Sequence, residues 1–477
     1  MKFKSSFLFL VILIVFNAFL PGAVPDNQDD KVSQLFEQID QNAEEHLTFL
    51  QRLSRTTKEG EAAVQDLVAE RFKALGGEVE VLSILPGTLE FKNEFVAGQQ
   101  VSQTKRISVV GKYQGAKKGP SLLFFAHPDN PPQTGLDKWT YDPFGAETDG
   151  SRLYGWGVAD DLAGVAIMAE ALHAIQRAGL QPGGDIILCS TPAKEGAQGV
   201  IALLDKGYTA DAAVYLHPAE SGEGMKEIKA VASGMLRFEI IVKGQEPPTT
   251  EPGKTAFAHL ATNAAHKAIA VIEALKDLDA RRGSRVHHPG LHKAAGRSTN
   301  LLIGYLRAGQ PGEYTQVPVE CLIGASLTFP PQEKMTQVQK EVEECIKAAA
   351  QADAWLKNNP PEINWLFGTQ GVEIPVEHPL YRTVSNAIQT VTQNQPFVNP
   401  LHSASDIRNP YLYSGIPTVG LGPLAGNLAQ NGFPNEWVDI PDFIRAVKIT
   451  AKIILEWGNR TGADSPAKSS PAPSGGF

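Results

Sequence analysis

His127 and Asp129 stand at the end of the apolar run SLLFFA, and Asp160 and Asp161 follow about thirty residues later. The second pair lies where the Gly-rich turn YGWGV leads into the small-residue pattern ADDLAGVAIMAEAL of a helix. Side chains alternate along a strand, so an H-x-D at a strand end puts both groups on one face. That placement suits a hydrogen bond between the two. Imidazole and carboxylate brought together by a strand end and a helix start are the ligands of a hydrolytic zinc site.

Those residues need a scaffold, and the hydrophobic pattern supplies one. Helical spacing runs over 31–54 and 60–75, and Gly76-Gly77 closes the second helix. Strands are expected at 78–82, 106–113, 121–126, 185–189 and 212–216, with helices at 161–178 and 199–206. Strands that alternate with helices imply an α/β fold whose largely parallel sheet is covered on both faces. The mostly apolar strand 121–126 belongs near its centre.

The pattern changes at about Val231. A partly alternating strand over 236–243 precedes a helix at 263–278 and a basic, Gly-containing loop at 281–297. Strands at 300–306 and 320–328 and a helix at 334–350 complete a two-layer α+β insert. A Pro-bearing linker at 358–362 returns to the first domain, whose remainder holds a helix at 380–392, a strand at 418–421 and a closing helix at 440–457. The expected division is 30–230 and 362–460 for the first domain and 231–352 for the insert.

The chain has 477 residues and a net charge of −9, which gives no reason to expect a nucleic-acid partner. Residues 1–23 run from a basic start through an apolar stretch to small residues, the order of a secretory signal peptide. A secreted or periplasmic protein is expected, with no membrane span after cleavage. The tail at 464–477 is too poor in apolar residues to fold. Cys189, Cys321 and Cys345 form an odd set without metal-ligand spacing and read as buried thiols rather than a disulfide framework.

From Leu50 to Trp457 these segments resemble the co-catalytic zinc exopeptidase family that includes aminoacylase, acetylornithine deacetylase, succinyl-diaminopimelate desuccinylase and glutamate carboxypeptidase. The resemblance rests on LQRLSRTTKEGEAAVQDLVAERFKALGGEVE, on WTYDPF, and on GASLTFPPQE, HSASDIRN and GFPNEWVDI. It implies a zinc-exopeptidase-like catalytic domain with an inserted lid that also serves dimerisation, 236–243 being a candidate edge for a homodimer. It further implies that His127 is a metal ligand, Asp129 its orienting carboxylate and Asp160 the carboxylate that bridges two metals. His217, in AVYLHPAES, falls where the first metal's third ligand belongs.

The second half of the family's machinery is altered. Its paired glutamates, a general base and a ligand of the second metal, align with TPAKEGAQG. In one register Lys194 replaces the base and Glu195 is the retained ligand. In the other Glu195 is the base and Gly196 the lost ligand. A protonated lysine cannot take a proton from water. Gly432 stands at the last histidine ligand, and Leu327 at the arginine for the substrate's carboxylate. The lid histidine has no clean match, although His259, His287, His288 and His292 lie nearby and read as surface residues.

Two functions follow as expectations. One is a hydrolase of a small N-acyl amino acid or short peptide, with a single zinc on His127, Asp160 and His217. The other is an inactive descendant that binds a partner. A transfer or cyclisation reaction using Lys194 as a desolvated amine is a third, without positive support. Glu195 standing between His127 and Asp160 favours the hydrolase; an ion pair of Lys194 with Asp160 favours the inactive descendant.

Overall fold

The computed structural model describes residues 28–91, 94–96, 101–129, 135–194, 198–425 and 433–460. The signal segment 1–23, Glu195, Gly196, Gly432 and the tail 464–477 lie outside them. The fold is mixed α/β, a mostly parallel central sheet joined to a second, antiparallel one.

The first sheet has six strands, in the order Glu78–Ile84, Arg106–Tyr113, Gly184–Ser190, Gly119–Ala126, Ala212–Leu216 and Thr418–Leu421. The last four are parallel, and the two at the other edge join antiparallel. Gly119–Ala126 is central, and its alternate residues serve opposite cores. Leu122, Phe124 and Ala126 pack with the helices Ala163–Arg177 and Ile440–Gly458, while Leu123 and Phe125 pack with Gly199–Asp205 and Arg408–Ser414. Burial on both faces explains why the strand reads as an unbroken apolar run.

The second sheet runs Asn300–Ala308, Glu320–Phe329, Val231–Lys243, Glu362–Thr369 and Glu94–Val96, antiparallel throughout. Helices Ala264–Arg285 and Met335–Ala352 bury their apolar stripes against one face. Val231–Lys243 joins the two layers. Its first residues pair with Val372–Glu373 and His402–Ser403, and the rest pair with the second sheet.

Four expectations are corrected. Residues 236–243 lie in a central strand, paired on both sides, so the apolar edge belongs to Asn300–Ala308. The basic stretch 281–297 is no simple loop, because one helix continues to Arg285 and a second, Pro289–Ala295, follows. Residues 362–369, assigned to the first domain, are a strand of the second sheet. The first helix is broken at Asn42 into Gln28–Gln41 and Ala43–Thr56.

Candidate metal centre

Three adjacent parallel strands end on the same side and deliver the site. Lys194 follows Gly184–Ser190, His127 follows Gly119–Ala126, and His217 follows Ala212–Leu216. The carboxyl ends of strands are where open α/β sheets bind their ligands. Asp160 reaches the same point from the turn before Ala163–Arg177. That turn begins at Gly157, whose φ of 74° suits glycine, and the Asp160–Asp161 peptide is cis. The Glu436 carboxylate accepts hydrogen bonds from the N–H groups of Gly157, Ala159 and Asp160 at 2.9, 2.9 and 3.0 Å. Burial pushes Glu436 up to about 7 despite those bonds. Gly164 allows the helix to start against the strand, since a Cβ there would lie 2.3 Å from the Leu216 carbonyl oxygen and 2.6 Å from Asp161 Oδ1.

His127 Nε2 lies 2.9 Å and His217 Nε2 3.3 Å from Asp160 Oδ1. The three ligand atoms fall within 4.8 Å of one another. Asp160 Oδ1 is buried and, among the described residues, accepts no hydrogen bond of good geometry. A buried, unsatisfied carboxylate oxygen costs free energy, and two imidazole nitrogens beside it make a donor set that fits one zinc ion.

Asp129 stands behind His127. His127 Nδ1 lies 3.1 Å from the Asp129 carbonyl oxygen and 3.4 Å from its Oδ1, acceptors that favour a proton on Nδ1 and would leave Nε2 to a bound cation. The Asp129 carboxylate accepts from the N–H groups of Ala193 and Lys194 at 2.9 and 2.7 Å and from Arg106 at 2.8 Å. Burial opposes its ionisation, yet His127 and the backbone donors hold it below the usual carboxylate range.

Lys194 donates to Asp160 Oδ2 at 2.7 Å. Burial acts to raise the Asp160 carboxyl, but Lys194 and His127 outweigh it and hold the group well below its ordinary value. Burial likewise disfavours the Lys194 ammonium, and Asp160 outweighs it. One oxygen of Asp160 is thus paired with an ammonium and the other faces two imidazoles. A cation at Oδ2 would have to displace Lys194.

Several neighbours escaped the sequence reading. Lys229, fully buried, has its Nζ 2.6 Å from His217 Nδ1 and also donates to the Pro218 carbonyl. Burial, then Lys229, lowers the His217 imidazole to about 4. An ammonium on Nδ1 favours a proton on Nε2. For Nε2 to offer a lone pair, Nδ1 must carry the proton and Lys229 must give up its hydrogen bond there, with Glu220 Oε1 4.0 Å away. Glu220 in turn pairs with His402 Nδ1, whose Nε2 lies 3.1 Å from Glu227. His402 sits in HSASDIRN and Glu436 in GFPNEW, so the motifs flagged their segments without their roles. Lys229 carried no such signal.

Leu327 is fully buried in the core beneath the insert's helices, on the face opposite to its neighbour Thr328. A side chain at Leu327 therefore points into the insert's own core and not to an open surface. Of the four lid histidines, His288 is not a surface residue: it is buried, its Nδ1 caps Pro289–Ala295 by accepting from Leu291 N–H, and its Nε2 lies 3.2 Å from Glu373. His259, His287 and His292 are exposed, as expected. The three thiols are free, Cys189 and Cys321 buried and Cys345 half-buried. A second cluster, His46, Glu170 and His173, has metal-like spacing, but Arg71 occupies Glu170 Oε1 at 2.6 Å and His173 Nδ1 at 2.8 Å. It is an ion-pair network that ties three helices together.

Comparison with known proteins agrees with this architecture. The model of peptidase family M20/M25/M40 matches residues 123–456. An N-formyl-4-amino-5-aminomethyl-2-methylpyrimidine deformylase of Bacillus subtilis is 26% identical over 372 residues, covering 74% of this chain and 83% of the relative. A succinyl-diaminopimelate desuccinylase of Polynucleobacter necessarius is 25% identical, covering 64% of this chain and 71% of its own. Among solved structures, the dipeptidase Dug1p of Saccharomyces cerevisiae superposes with a TM-score of 0.66 at 13% identity, over 90% of this chain and 99% of that one. An M20 family metallo-carboxypeptidase of Sulfolobus solfataricus gives 0.63 at 17% identity, over 90% and 99%. With the family model spanning both parts of the sheet and the insert between them, the chain belongs to peptidase family M20/M25/M40, enzymes that hydrolyse amide bonds.

Proposed function

We propose that the protein hydrolyses an amide bond of a small N-acyl amino acid or short peptide, using one zinc ion held by His127, Asp160 and His217. The observation that carries this reading is the convergence of two imidazole nitrogens on a buried, unsatisfied oxygen of Asp160. When bound, such an ion supplies Lewis acidity, polarising the amide carbonyl and making water nucleophilic near neutral pH. The chain's own residues do the rest. Asp129, held by Arg106 and two backbone amides, keeps the His127 ring oriented. Lys194 neutralises the outer oxygen of Asp160, where a second cation's charge would otherwise lie. Its other two N–H donors have no partner among the described residues, and they are available to the oxygen on which charge develops as the carbonyl is attacked. Export through the segment 1–23 belongs to the same proposal.

The Lys194–Asp160 ion pair favours a second reading, an inactive descendant that acts as a binding or interaction protein. Elemental analysis of the purified protein separates the two. One zinc per chain, lost in His127→Ala, together with turnover of N-acyl amino acids or dipeptides, supports the hydrolase. Absence of zinc binding, with no stabilisation on adding it, overturns that reading and leaves the second.

A further inference from the structure

The insert carries a pair of imidazoles that the metal centre does not use. His287 and His292 are exposed, and their rings lie 4.8 Å apart, centroid to centroid, tilted by 40°. Neither imidazole has a hydrogen-bond or ion-pair partner among the described residues. Their neighbour His288 is committed elsewhere, accepting from Leu291 N–H and facing Glu373 at 3.2 Å.

Local geometry brings the two rings together. His288 is the N-cap of the helix Pro289–Ala295, so His287 stands just before the cap and His292 at the fourth helical residue. Those two positions meet over the first turn of a helix, and an apolar pair there acts as a hydrophobic staple. Here both are imidazoles, each able to offer a nitrogen lone pair. The backbone beneath them is fixed. Gln332 donates its side-chain amide to the His287 carbonyl at 2.9 Å, and His292 N–H donates to the His288 carbonyl at 2.9 Å.

Two imidazoles that share one ion hold their nitrogens about 2.0–2.1 Å from it. With a nitrogen–metal–nitrogen angle between a right angle and the tetrahedral one, their ring centroids stand about 4.5–5.2 Å apart. The observed 4.8 Å falls inside that span, so the side chains are already spaced for one ion. At His46, Glu170 and His173 the Arg71 guanidinium fills the place of a metal, whereas no cation is bonded to His287 or His292 among the described residues. Of the cations close in sequence, Arg285 pairs with Glu341, and Lys293 lines a cavity of which neither imidazole is a part.

We propose that His287 and His292 form a separate metal site on the surface of the insert, one that takes copper(II) and staples the first turn of Pro289–Ala295 to the residue before its cap. Two nitrogen donors, with water in the remaining positions, suit the tetragonal preference of copper(II), which heads the affinity order of the divalent first-row ions. Calcium and magnesium seek oxygen ligands and find none in two imidazoles. The site shares no residue with His127, Asp160 and His217, so it stands or falls apart from the hydrolase reading.

The test is a titration of copper(II) chloride into the untagged full chain carrying His127→Ala, which removes a ligand of the metal centre. Bound copper is counted after gel filtration and examined by electron paramagnetic resonance. About one copper ion per chain is expected at this site, with a tetragonal signal split by imidazole nitrogen. His287→Ala and His292→Ala should each weaken its binding by about tenfold or more, equivalent to 1.4 kcal/mol. His259→Ala, which removes a lone exposed imidazole, should leave it unchanged. Zinc at equal concentration should not displace the copper. Both residues of the pair are exposed, so their replacement leaves no cavity in a core. No copper held by the His127→Ala chain, or binding that survives either replacement within the pair, overturns the proposal. Zinc held more tightly than copper overturns the choice of ion.

Discussion

Asp160 holds the site together, and the groups around it divide its two oxygens. Lys194 takes Oδ2, while His127 and His217 face Oδ1. Lys229 is the residue whose effect is easiest to isolate. In metal-free protein, Lys229→Met should raise the His217 midpoint from about 4 toward its ordinary 6.5, without reaching it, because burial is the larger cause and remains. The imidazole proton resonances report this directly, and a midpoint that stays put would refute the assignment of Lys229 to that shift. The sign for stability follows. An imidazole depressed in the folded state stays neutral while the unfolded chain binds a proton, so stability falls as pH drops from about 6.5 to about 4. Lys229→Met should flatten that fall.

At the scale of elements, the turn and helix that present Asp160 are set by packing around Ala163–Arg177. Gly164→Ala places a methyl against Leu216 and Asp161. The helix start must shift, at a cost of about 1–3 kcal/mol for overpacking, and zinc content should fall with it; an unchanged unfolding midpoint and full zinc content would argue against this close approach. Farther along the helix, Glu170 is fully buried between His46 and Arg71. Burial opposes its ionisation, but His173, His46 and Arg71 prevail and bring it to about 2 from 4.5. A depressed carboxylate stabilises the fold above about pH 4.5, by about 3 kcal/mol here, and that contribution is lost as pH falls through about 2. Denaturant unfolding at pH 7 and pH 3 should show Glu170→Gln destabilised at pH 7 and closer to the wild type at pH 3. A gap that stays constant between the two pH values would contradict this.

For the whole molecule, the second sheet leaves one long edge open. Asn300–Ala308 pairs on one side only and exposes Leu302 and Leu306 at 63% and 56%. An open strand edge with apolar side chains is a template for a second copy. The chain is expected to form a homodimer there, and Leu302→Lys with Leu306→Lys should shift it to monomer in light scattering while its circular dichroism is unchanged. A dimer that persists in the double variant would place the contact elsewhere. Among the described residues, no helix is long and apolar enough to cross a membrane.

The sequence by itself determined the α/β frame, because strand alternation, the Gly-rich turn and apolar runs are local signals, while the resemblance to a family is what singled out His127, Asp129, Asp160 and His217. It also marked Lys194 as a departure from a carboxylate base. What it could not supply were relations between distant segments. Residues 236–243 alternate as a strand with one solvated face does, a pattern that cannot tell an edge from a centre, and pairing on both sides makes them central. Leu327 was aligned with a substrate-binding arginine, yet the pleat turns it into the core. Lys229 became a neighbour of the site by bridging to Gly420 of Thr418–Leu421, and His402 by pairing beside Val231–Lys243. The tertiary structure alone decided where the ammonium of Lys194 goes, because an ion pair depends on the through-space separation of charges. Lys194 and Asp160 are 34 residues apart in the chain and meet only because a parallel strand and a helix start end at the same point.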